Sequence, residues 1–69
     1  MKNNIKVERA KNNLTQAALA DLLNVSRQTI NAIELSKYVP STLLALKMAK
    51  IFDVDVSDIF ELEESDWKK

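Results

Sequence analysis

Residues 14–40 read LTQAALADLLNVSRQTINAIELSKYVP, and this stretch decides the fold. Ala17, Ala18, Leu19, Ala20, Leu22 and Leu23 give a helix from Leu14 or Thr15 to about Leu23 small, apolar faces suited to close helix contact. Asn24-Val25 then makes a tight turn. Ser26 is a good N-cap for a second helix, Arg27 to about Leu35, whose Ile30 and Ile33 face inward. Ser36 to Pro40 is a loop, because Val39-Pro40 cannot readily continue a helix.

Working outward, a first helix fits Asn4 to Asn12, with Asn12-Asn13 as punctuation. Ser41 caps a fourth helix, Thr42 to Phe52, whose Leu43, Leu44, Leu46, Met48, Ile51 and Phe52 are expected to supply much of the core. Asp53 breaks it, Val54 and Val56 pack, and Ser57 to Phe60 forms a short fifth helix. The expectation is an all-α domain over residues 1–62, followed by an acidic tail, 63–69. Phe60, Leu62 and Glu64 alternate just long enough for a short strand pairing with the N-terminus. The chain holds no glycine. Asn13, Asn24, Ser36 and Asp53 stand at the helix breaks, and Asn and Asp tolerate the left-handed conformation best among other residues. They read as glycine substitutes with no direct part in function.

Composition excludes more than it assigns. Sixty-nine residues make one small domain, and with no Cys and no His there is no disulfide framework and no thiolate or imidazole metal site. The usual acid-base and nucleophilic pairings are missing, so neither an enzyme nor a cofactor is expected. No signal peptide stands at the N-terminus, and no run approaches the ~18 apolar residues of a membrane span. The lack of cysteine suits a reducing cytoplasm. Net charge is zero, but residues 1–50 carry eight Lys and Arg against three Asp and Glu, whereas residues 51–69 carry two against seven. The basic half contains the two-helix stretch.

Two helices joined by such a turn form a helix-turn-helix, in which the second helix enters the DNA major groove. There each base pair shows its own pattern of donors and acceptors. Arg27 can pair with guanine and Gln28 with adenine; Asn31 is next, Thr29 can touch a thymine methyl or a phosphate, and Ala32 can approach a methyl. Lys37 is placed for a phosphate contact, Tyr38 either donates its hydroxyl or packs under the loop, and Ser41 could present its amide to a phosphate. Without its flanks, an exposed Arg-Gln pair would be ordinary solvated surface.

Three blocks in order, LTQAALA, NVSRQTINAIE and SKYVPSTLLALKMAKIFDVDVSDIF, make the chain resemble the Cro/CI-type (XRE-like) transcriptional regulators in their short, single-domain form. The likeness covers about Ile5 to Phe60. It implies a five-helix lambda-repressor-like domain, double-stranded DNA as partner, a bacterial or phage origin, and a regulator, with a repressor as the leading form. It further implies that Gln16 bonds a phosphate and braces Arg27, that Ser26 belongs to the DNA-facing set, and that Arg9 and Glu34 form a structural ion pair. Such a pair costs about 3–5 kcal/mol to break from one side. The chain departs from the pattern at Asn24, Ser36 and Asp53, where glycine is usual, and at Glu8, an often apolar position, so the first helix is expected to pack less fully or to shift.

One such domain reads few base pairs, and a two-fold dimer places two reading helices about 34 Å apart on one DNA face. The candidate dimer surface is Val54, Val56, Ile59, Phe60 and Leu62, with Val56 and Ile59 more apt to close the core and Phe60 and Leu62 better suited to an interface. The competing reading is an antitoxin-like protein-interaction module whose acidic tail, with Trp67, docks a basic partner.

Overall fold

Three hydroxyl side chains start three of the helices in the computed structural model, which describes residues 1–68. Thr15 Oγ1 accepts from the Ala18 amide at 3.0 Å and opens α2, Gln16–Leu23. Ser26 Oγ accepts from Thr29 at 3.1 Å and opens α3, Arg27–Glu34. Ser41 Oγ accepts from Leu44 at 3.1 Å and opens α4, Thr42–Phe52. Each hydroxyl satisfies one of the amides that a helix start leaves without a partner. Before them lies α1, Ile5–Lys11, and after them α5, Val56–Ile59. The fifth helix thus begins one residue earlier than the sequence suggests and yields Phe60 to a strand.

Helix ends follow the expectation from the missing glycines. Among the described residues, Asn13, Asn24, Ser36 and Asp53 are the four with positive φ, at 54°, 57°, 59° and 55°. Each lets the chain turn out of a helix while the following amide bonds back: Val25 donates to the Ala20 carbonyl, Lys37 to Ala32 and Val54 to Ala49.

Ile5, Leu19, Ile30, Ile33, Met48 and Ile59 are fully buried and draw all five helices onto one core. Leu43 and Leu46 do not join it: they are 64% and 55% exposed. The inward face of α4 runs through Leu44, Met48 and Phe52, four residues apart, and the nearly continuous apolar run of this helix hid that stripe. Glu8 is buried, yet α1 is regular around it, with Glu8 Oε2 accepting from Lys11 Nζ at 3.3 Å one turn on. α1 packs through few residues, with Ile5 and Glu8 buried and Val7 exposed.

A strand pair closes the molecule. β1, Lys2–Asn3, runs antiparallel to β2, Phe60–Glu61, with Lys2 opposite Glu61 and Asn3 opposite Phe60. From this position the Asn3 amide donates to the carbonyls of Ile33 and Glu34, at 2.9 and 3.4 Å, and caps the C-terminal end of α3. Tail residues Glu64–Trp67 form one 3₁₀ turn, and the Met1 amine meets Glu63 at 2.9 Å and Asp66 at 3.1 Å. Lys69, the last residue assigned to the tail, lies outside the described residues. Trp67 is 76% exposed.

Of the four left-handed positions, Ser36 is held by the residue least suited to it. Ser36→Gly should stabilise the fold by about 0.5 kcal/mol, the relief of strain exceeding the entropy that glycine adds to the unfolded chain. Asn24→Gly should gain less. Urea unfolding of both variants checks the order.

Candidate nucleic-acid interface

The capped start of α3 projects Arg27 and Gln28 into solvent, and Asn31 follows one turn later on the same side. Gln16, at the start of α2, comes alongside. These four side chains line one open notch of about 290 Å³. Arg27 and Lys37 have no carboxylate partner within salt-bridge distance among the described residues. Their charge is therefore offered outward, in the half of the chain where basic residues outnumber acidic ones.

Behind the notch lies a chain of hydrogen bonds. Arg9 Nε donates to Glu34 Oε2 at 2.6 Å and Arg9 Nη2 to Glu34 Oε1 at 3.1 Å, while Nη1 donates to the Leu14 carbonyl at 3.0 Å. The pair expected between Arg9 and Glu34 is thus present, bidentate and largely buried. Gln16 Nε2 donates to Glu34 Oε1 and to Asn31 Oδ1, both at 3.1 Å. Burial alone would raise the Glu34 carboxyl, but the hydrogen bonds from Arg9 and Gln16 outweigh it and hold it below the usual carboxylate range. Arg9 is pushed up in turn, chiefly by its hydrogen bonds to Glu34.

A second open notch, of about 370 Å³, flanks α3 on the other side. Asn24, Thr29, Tyr38, Ser41 and Lys47 supply its polar lining. Thr29 Oγ1 is 2.9 Å from Ser26 Oγ, so both hydroxyls serve the start of the helix. Tyr38 is half exposed where it lines this notch.

A sequence model of the Helix-turn-helix family matches residues 5–59, most of the chain. Relatives cover it almost end to end. An uncharacterized HTH-type transcriptional regulator of Methanocaldococcus jannaschii is 56% identical over 66 residues, 96% of this chain and all of the relative. Another from Bacillus subtilis is 48% identical over 64 residues, 93% of this chain and 97% of the relative. A third, from Archaeoglobus fulgidus, is 44% identical over 70 residues, spanning all of this chain and 99% of the relative. The chain belongs to the XRE-type helix-turn-helix family. These relatives come from archaea as well as a bacterium, so the family is wider than the bacterial and phage setting that the sequence resemblance suggested.

Within this helix-turn-helix protein, the structure refines the expected placements. The partner of Gln16 is Asn31 rather than Arg27, and both amide protons of Gln16 are used inside the protein. Ile59, expected to close the core, is buried at 1% exposure, while Phe60, at 9%, lines an apolar groove with Met1, Val39 and Val56. Both belong to the core cluster, with half-buried Val54 and exposed Leu62 at the surface. Sequence reasoning missed Lys47, in α4 beside Tyr38 and Ser41, and Asn3, whose capping of α3 reaches Ile33, 30 residues away, and depends on strand pairing with Phe60. Lys47 shares α4 with Lys50 and only the fold singles it out; Asn3 carried no local signal.

Arg9→Ala leaves the Glu34 carboxylate without its main partner. The variant should lose roughly 3 kcal/mol of stability and bind its target less tightly. The native carboxyl of Glu34 is depressed, so its contribution is complete above the ordinary glutamate range and fades as pH falls through the native value. Thermal melts of wild type and Arg9→Ala from pH 7 to pH 3 should therefore converge toward the acid end.

Proposed function

We propose that this protein is a sequence-specific regulator of transcription that inserts α3 into the major groove of double-stranded DNA. The observation that carries this reading is the convergence of Arg27, Gln28, Asn31 and Gln16 on one notch at the exposed start of a capped helix, in the basic half of the chain. Arg27 and Gln28 are the principal base readers, Asn31 the next, with Ser26 and Thr29 holding the helix start against the groove. Lys37, Tyr38 and Ser41 contact phosphates on the flank, and the free backbone amides at the start of α2 take the phosphate that the Gln16 side chain cannot. The protein works in the cytoplasm as a repressor, excluding other proteins from the DNA that it occupies.

It binds a palindromic operator as a homodimer. Supporting this is an apolar groove lined by Met1, Val39, Pro40, Ala45, Leu46 and Val56, continuous through Leu46 with Val54. A second copy seated there, with Leu62 at the margin, would turn two α3 helices to the same DNA face. The exposed Trp67 and the acidic residues of 63–69 favour one second reading, a tail that also docks a basic protein as an antitoxin does.

Selection of duplexes from a random pool should enrich an inverted repeat with half-sites one helical turn apart, and Arg27→Ala should erase the preference at one position of each half-site. Failure of the wild type to enrich any sequence at low salt would sink the proposal. Leu46→Glu should shift the protein from dimer to monomer in sedimentation equilibrium and weaken operator binding at least tenfold on the order expected when one of two linked contacts is lost. Removing residues 63–69 should leave operator affinity intact; capture of a basic protein partner that vanishes with the tail would establish the second reading.

A further inference from the structure

The side-chain amide of Asn31 has an accepting end and a donating end, and a half turn about its last bond exchanges them. Which end meets the groove is settled within the protein. The Glu34 carboxylate, held ionised beside Arg9, can only accept hydrogen bonds. The Gln16 atom 3.1 Å from Glu34 Oε1 must then be the nitrogen. That same nitrogen lies 3.1 Å from the terminal amide of Asn31, so the atom of Asn31 facing it must be the oxygen. Both protons of Gln16 Nε2 are consumed, Asn31 Oδ1 is turned inward, and Asn31 Nδ2 is the end left for a ligand.

We infer that Gln16, oriented by Glu34, is a specificity-positioning residue that locks Asn31 as a hydrogen-bond donor toward the major groove. The inference rests on the DNA-reading proposal and sharpens it. A locked donor favours base atoms that accept, above all guanine with its adjacent N7 and O6, and rejects cytosine, whose groove edge offers the N4 amino group. The two-point pair that asparagine makes with adenine needs both ends of the amide at once, and the lock withholds one of them. Asn31 therefore acts here as a short arginine would, although its side chain is neutral. The chain of orientation starts at Arg9 in α1, so a residue that never approaches DNA helps set the polarity of a base contact.

The test is selection from a random duplex pool with wild type, Gln16→Met and Asn31→Asp, with a circular dichroism melt of each. Wild type should show one half-site position with a guanine preference of about tenfold over cytosine, the order expected of a good base contact. Asn31→Asp keeps the bond from Gln16 but presents an oxygen, so preference at that position should turn toward cytosine. Gln16→Met has similar length and no donor; Asn31 is then free to turn, and discrimination at that position alone should fall several-fold. If Gln16→Met instead weakens binding equally across all sequences and lowers the salt dependence, Gln16 is a phosphate contact and the inference is overturned. A wild-type preference for cytosine at the Asn31 position overturns it as well, and that result does not depend on the Met variant folding. No enrichment by the wild type would remove the DNA-reading proposal and this inference together, whereas an enriched site untouched at the Asn31 position by Gln16→Met removes only the inference.

Discussion

Glu34 carries a full negative charge at a place largely closed to water, and Arg9 makes this tolerable by meeting it with two hydrogen bonds. A charge so placed would otherwise be costly. The arrangement ties the end of α3 to α1, and through the third nitrogen of Arg9 it also holds the chain at Leu14, just before α2. Three helices therefore share one fixed point, and the notch lined by Gln16, Arg27, Gln28 and Asn31 adjoins it. Gln16 reaches down to that point and across to Asn31. The ion pair and the side chains proposed as readers are joined through the same few atoms, so the geometry of the notch follows from a buried ion pair.

α3 is short, eight residues, and an isolated helix of that length would not persist in water. Its order is imposed from both ends. Ser26 satisfies amides at its start, and Asn3, arriving from β1, satisfies carbonyls at its finish. Between them Ile30 and Ile33 anchor the inner face in the core. The strand pair of two residues each is too small to stabilise much on its own. Its contribution is to deliver Asn3 to the end of α3 and to bring the N-terminal segment against Ile59 and Phe60.

Local chemistry was legible in the sequence wherever a residue acts on its near neighbours. The N-caps at Ser26 and Ser41, the turn at Asn24 and all four left-handed positions could be named because each needs only one residue type in one local setting. Burial within α4 could not be resolved so well, since Leu43, Leu44 and Leu46 are alike in chemistry and only the packing partner separates the inner from the outer ones. The ion pair of Arg9 and Glu34 came from family resemblance, whereas the Asn3 cap, which joins residues 30 apart with no charge to mark them, left no sign. For the candidate site, the identity of the side chains was readable but their hydrogen-bond direction was not. Direction depends on which neighbour is an obligatory acceptor, and that is decided only when Gln16, Asn31 and Glu34 meet.

The absence of glycine also shapes the state the protein unfolds into. Every backbone unit bears a Cβ, so the denatured ensemble is narrower than that of a chain with glycine hinges, and less conformational entropy is released on unfolding. The left-handed residues that make the native turns uncomfortable thus make the disordered chain uncomfortable too. Stability in this small domain comes partly from a restricted alternative as well as from a favourable native state, a balance that contacts in the folded molecule do not reveal.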